Sequence, residues 1–127
     1  MIRVIEGILL FSEDAKKLAY FYKEKVGLKI TFEAVMGETD DMYEFKMKNG
    51  SPLYVIHHSK VKGKNKQPER MMFNLEVDDI EKEVKRLDKA GVKKTQNVYH
   101  VEGYGYIATF SDIDGNYFQL VQVREKK

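Results

Sequence analysis

The sequence predicts an α+β fold built from two βαβββ modules, and three observations carry that reading. The chain repeats its punctuation at a spacing of 65 residues, which carries Asp14 onto Asp79 and Asn49-Gly50 onto Asp114-Gly115. Each of the two aspartates opens a stretch of helical apolar spacing that a glycine closes, Gly27 in one copy and Gly91 in the other. The other apolar runs are short and rich in β-branched and aromatic residues, as strands are. A single βαβββ module leaves one sheet face uncovered. Two of them, paired side by side around a shared concave surface, are the expected architecture.

The elements follow in order. Arg3 to Phe11 is a β-rich run that fits a strand buried on both faces. Asp14 can cap a helix whose apolar face is Ala15, Leu18, Ala19, Tyr22 and Val26. Leu28–Val35 and Met42–Lys48 read as strands, the second alternating Tyr43, Phe45 and Met47 with Glu44, Lys46 and Lys48. Asn49-Gly50 tolerates the positive φ of a hairpin turn into Leu53–His58. The second copy repeats the order: Met71–Val77, a helix from Asp79 with Ile80, Val84 and Leu87, a weak strand at Val92–Tyr99, Tyr106–Phe110, a turn at Asp112–Asn116, and Tyr117–Val123. Residues 1–127 therefore read as one domain, with module one about 1–58, a linker about 59–69 and module two about 70–127.

Composition narrows the function classes. A chain of 127 residues can bury ~65–70% of its unfolded surface, enough for a core without staples. It contains no cysteine, so disulfides and thiolate ligands are excluded. MIRVIEGILLF lacks the basic-then-apolar layout of a signal peptide, and no apolar run is long enough to span a bilayer, which gives a cytoplasmic expectation with no membrane partner. The net charge of +2 is evenly spread. Lys60-Val61-Lys62-Gly63-Lys64-Asn65-Lys66 reads as a solvated linker, so nucleic acid is not an expected partner.

Phe110-Ser-Asp-Ile-Asp-Gly-Asn-Tyr-Phe-Gln-Leu-Val resembles the closing signature of the vicinal oxygen chelate superfamily, the glyoxalase, bleomycin-resistance and dioxygenase proteins. Asp14 with Phe21-Tyr22 and Gly27-Leu28 resembles the same family's first helix, and Asn74-Leu75-Glu76-Val77-Asp78-Asp79 its second-module opening. The resemblance implies a glyoxalase/bleomycin-resistance fold and, in catalytic members, metal ligands on the first and last strand of each module. On this sequence those four positions are Gly7, Tyr54, Met72 and Gln119. A divalent metal of this class needs imidazole or carboxylate donors. Only Gln119 could ligate, through its amide oxygen, so no metal and no cofactor is expected.

The remaining candidates are aromatic, apolar and polar. Tyr54, Met72, Tyr104 and Gln119 are the expected ligand-binding residues, with the Gln119 amide satisfied by Tyr54, a water or a ligand. Glu6 should point away from Gly7 by strand alternation, and His57 and His58 read as polar residues at a strand end. His100, in a loop before the last hairpin, is the best proton carrier if the pocket is catalytic. No nucleophilic triad is visible, and Gly103-Tyr104-Gly105 lacks the strand–helix setting of a phosphate loop. The expectation is a homodimeric, metal-free protein that binds a small organic molecule, aromatic or cationic. The alternative is a glyoxalase- or dioxygenase-like lyase or oxidoreductase.

Overall fold

Both helices begin on an aspartate whose side chain closes the first turn. Asp14 Oδ1 accepts from the Lys17 amide at 3.1 Å and Asp79 Oδ1 from the Lys82 amide at 3.2 Å, each satisfying an orphan N–H at the third helical position. The computed structural model describes residues 1–36 and 40–124. The chain divides into two compact units, Met1–Gly63 and Lys64–Lys127.

The first unit contains β1 (Ile8–Ser12), α1 (Ala15–Phe21), β2 (Phe32–Met36), β3 (Asp40–Phe45) and β4 (Leu53–His57). Its sheet has the order β1-β4-β3-β2, with β1 parallel to β4 and the other pairs antiparallel. After α1 the chain widens into a π-helical turn, Tyr22–Val26, and stops at Gly27 in the left-handed region at φ 94°. The buried residues of this helix are Ala15, Leu18, Ala19, Tyr22 and Val26, as expected from the spacing, together with Phe21. It lies over Tyr43, Phe45, Leu53 and Val55, all at most 2% exposed. Burying each large side chain here contributes ~1.5–3 kcal/mol.

The expected strand from Arg3, buried on both faces, is corrected. Regular pairing begins at Ile8, and Ile2, Val4 and Ile5 are exposed. β1 is an edge strand with a helix over one face only, so Leu9 and Phe11, on the other face, are 49% and 39% exposed. Asn49-Gly50 also makes no two-residue hairpin. The strands stop at Phe45 and resume at Leu53, with Gly50 at φ 88° inside a longer connection.

The second unit contains β5 (Met72–Glu76), α2 (Ile80–Lys89), β6 (Lys93–Val101), β7 (Gly105–Ser111) and β8 (Tyr117–Gln122), in the sheet order β5-β8-β7-β6. α2 buries Ile80, Val84 and Leu87 on the sheet, where Phe73, Phe110 and Phe118 stack with ring centres 5.8–6.0 Å apart. The turn between β7 and β8 is built on the Asp112 carboxylate, which accepts from the amides of Asp114 and Asn116 and from Asn116 Nδ2. The lysine-rich linker is anchored there at one residue. The Asn65 amide donates to the Asp114 carbonyl at 2.8 Å and its side chain donates to Asn116 Oδ1 at 3.1 Å. Among the described residues no helix is long and apolar enough to cross a membrane.

Candidate functional site

Each sheet packs one face against its helix, and strand register decides which residues share the opposite face. In the first unit Tyr54 lies between Leu9 on β1 and Glu44 on β3. In the second, Gln119 lies between Asn74 on β5 and Thr109 on β7. The 65-residue repeat that carries Tyr54 onto Gln119 also carries Leu9 onto Asn74 and Glu44 onto Thr109. The two rows are the same three slots of the module, filled with different chemistry.

In the first row the ring of Tyr54 takes the space beside Gly7. A Cβ placed on Gly7 would stand 2.7 Å from Tyr54 Cε2 and 3.2 Å from Cδ2, so any side chain at position 7 displaces that ring. The Tyr54 hydroxyl donates to Glu6 Oε1 at 3.1 Å. Partial desolvation, together with the Glu6 and Glu44 carboxylates, raises the Tyr54 pKa above its ordinary 10.0, so the phenol keeps its proton. Glu6 was expected to point away, and this is a correction. Residue 6 precedes the first paired residue of β1, so the pleat does not dictate its direction.

In the second row Gln119 Nε2 donates to Thr109 Oγ1 at 3.0 Å. The polar partner of the half-buried amide is thus a threonine on the neighbouring strand. Tyr104, in the turn between β6 and β7, accepts at its hydroxyl from Asn74 Nδ2 at 3.3 Å. Through Asn74 it joins the row that holds Gln119. Met72, two residues before Asn74 on β5, shares that face and is 39% exposed. Met72, Tyr104 and Gln119 therefore fall together on one face of one unit.

His100 does not join them. It lies in β6 and not in a loop, paired with Tyr106, which pairs in turn with Gln122. Gln122 is three residues along β8 from Gln119 and faces the helix side, where its Oε1 accepts from the Ile80 amide at 2.9 Å. His58 keeps its strand-end character: its Nδ1 accepts from the Lys60 amide and its ring meets Phe11 edge-on.

The four positions marked by the resemblance thus hold a glycine, a phenol bonded to Glu6, a thioether and an amide bonded to Thr109. Among the described residues no three His, Asp or Glu side chains gather where one ion could sit. This donor set does not fit a divalent metal held by imidazoles and carboxylates. Sequence reasoning missed Asn74 and Thr109, and set Glu6 aside. The repeat spacing applied to Leu9 and Glu44 would have found the first two.

Residues 4–120 match the Glyoxalase/Bleomycin resistance protein/Dioxygenase superfamily. The chain belongs to that superfamily. It is 29% identical over 121 residues to the uncharacterized Bacillus subtilis protein YetH, covering 94% of this chain and 98% of that one. Among solved structures it resembles TnmS3, an antibiotic binding protein from Streptomyces sp. CB03234, at TM-score 0.73 and 22% identity, over 97% of this chain and 98% of that one. It also resembles the trypanothione-dependent glyoxalase I of Leishmania major at TM-score 0.75 and 18% identity, over 95% and 87%. At these identities the two structures speak for the fold.

Proposed function

We propose that this protein is a small-molecule-binding member of its superfamily that works without the superfamily's metal, as a cytoplasmic homodimer, with Tyr54, Met72, Tyr104 and Gln119 contacting the ligand. The observation that carries the reading is the Tyr54 ring packed against Gly7, where a metal enzyme needs a donor side chain. The exposed apolar residues Leu9, Phe11 and Phe32 on the face around Tyr54 offer a surface for an aromatic body. Glu6 and Glu44 beside the phenol favour a cationic group on it. The antibiotic-binding role in the name of TnmS3 supports the same class of ligand. The edge strands β1 and β5 and the exposed Ile2, Val4 and Ile5 support pairing with a second chain. A monomeric mass by light scattering at tens of micromolar overturns that part.

The test of the metal-free reading is calorimetric titration of wild type and Gln119→Glu with Zn²⁺, Ni²⁺ and Mn²⁺. Gln119→Glu restores the family's usual carboxylate, yet with Gly7 and Met72 unchanged it should bind none of the three tightly. Micromolar or tighter binding by either protein sinks the proposal. One observation favours the enzyme reading: Glu6 puts a carboxylate within hydrogen-bond reach of Tyr54. Stoichiometric metal that survives dialysis would support it.

A further inference from the structure

Across the β5-β8-β7-β6 sheet from Gln119, a separate cavity of about 500 Å³ opens beside the start of α2. Its volume lies in the range of ligand pockets. Val98, Tyr99 and His100 line it from β6, Tyr106 from β7, and Asp79, Ile80, Glu81 and Gln122 from the helix side. We propose that this cavity is a second small-molecule site, distinct from the Tyr54 and Gln119 rows, and that it takes a planar aromatic amine in its cationic form.

Three features of the strands and side chains support a built site. First, the cavity runs along the irregular part of β6, bordered by Val98, Tyr99 and His100. β6 is the edge strand of its sheet, and its pairing with β7 shifts register twice, between Lys94 and Gln96 and between Gln96 and Tyr99. Such irregularities re-aim side chains, and they recur beside binding sites. Second, the His100 and Tyr106 rings stand 4.8 Å apart at 47°, and Tyr106 is 44% exposed. Aromatic surface presented this way suits a flat ring, with edge or face contact.

The third feature is charge, and it decides between a cation and an anion. A helix start would ordinarily suit an anion through its free amides. Here the Ile80 amide donates to Gln122 Oε1 and the Lys82 amide to Asp79 Oδ1. The first turn of α2 carries Glu81 and Glu83, and none of the described lining residues is Lys or Arg. An ammonium group near Asp79 and Glu81, with its ring on Tyr106, satisfies both the charge and the aromatic surface.

Tryptamine and indole-3-acetate share a ring and differ in the sign of their charge, which makes them the test pair. Each is titrated into the isotopically labelled protein while backbone amide resonances are followed. Tryptamine should shift the amides of Ile80, Glu81, Val98–His100 and Tyr106, and indole-3-acetate should bind there at least roughly tenfold more weakly. Tyr106→Ala and Glu81→Lys should each weaken tryptamine by about tenfold. If Tyr106→Ala does not fold, Glu81→Lys, on an exposed helical turn, decides alone. Equal binding of the two probes, an unchanged affinity in Glu81→Lys, or the absence of shifts at these amides up to millimolar tryptamine overturns the proposal. Shifts confined to the Tyr54 and Gln119 faces overturn it too, while leaving the function proposed above standing.

Discussion

Replacing Asp112 with alanine should cost about 3 kcal/mol of stability, because one carboxylate closes the whole turn between β7 and β8. The side chain is 6% exposed. Its Oδ1 accepts from the Asp114 and Asn116 amides, both at 2.9 Å, and its Oδ2 from Asn116 Nδ2 at 3.0 Å. Hydrogen bonds to a charged acceptor contribute ~1.5–3 kcal/mol each, so a plain sum exceeds ~4 kcal/mol. The donors are only partly buried, and water recovers some of that loss, which brings the expectation to about 3 kcal/mol. Asparagine should cost about half as much. Its amide oxygen can replace Oδ1, but its NH₂ then faces the NH₂ of Asn116. Urea unfolding separates the three proteins. With a slope of about 1.5 kcal/mol/M, alanine should lower the midpoint by about 2 M and asparagine by about 1 M. The turn also holds the linker through Asn65, so hydrogen exchange at the Asn65 amide should accelerate in the alanine variant. A midpoint drop under about 0.5 M for alanine, at unchanged slope, would refute the reasoning.

Gly105→Ala should destabilise by about 3 kcal/mol, since φ is +144° and a Cβ would collide with the Gln122 carbonyl, which is backbone and cannot swing aside. Gly63→Ala, at φ +67° with open space around it, should cost only about 1 kcal/mol, and equal midpoints for the two variants would refute the steric argument. Tyr43 gives a pH dependence. Burial, then the nearby Asp41 and Glu33 carboxylates, raise its pKa above 10.0, so the folded protein holds this proton at a pH where the unfolded chain releases it. The unfolded state then binds fewer protons, and stability falls as pH rises above about 10 toward the folded pKa. Tyr43→Phe should lose less stability than wild type between about pH 9 and 11. Parallel curves would count against this assignment.

The parts of the fold legible in the sequence are those written in local chemistry. Asp14 and Asp79 announce the helix starts, Gly27 and Gly91 their ends, and Asp112–Asn116 the last turn, because caps and positive-φ positions admit few residue types. Edges were harder to read. The apolar run before Ile8 reads as strand by composition, but pairing depends on a neighbour that sequence does not name. β6 lacks clean alternation because an edge strand with shifted register buries little, and His100 was therefore misplaced into a loop. Motif spacing alone picks out Met72, Tyr104 and Gln119, which the second unit brings to one face. Asn74 and Thr109 required cross-strand register, which a single strand's pattern does not contain, and Glu6 lies ahead of the first paired residue, beyond any strand pattern.

The divergence of the two rows bears on mechanism more than any single residue does. In this chain the slots stay in register while their chemistry separates. One row reads Leu9, Tyr54 and Glu44, with Glu6 added at the phenol. The other reads Asn74, Gln119 and Thr109, closed by Tyr104. A protonated phenol flanked by carboxylates suits a cationic ring, whereas a neutral amide–hydroxyl row suits carbonyl and hydroxyl groups.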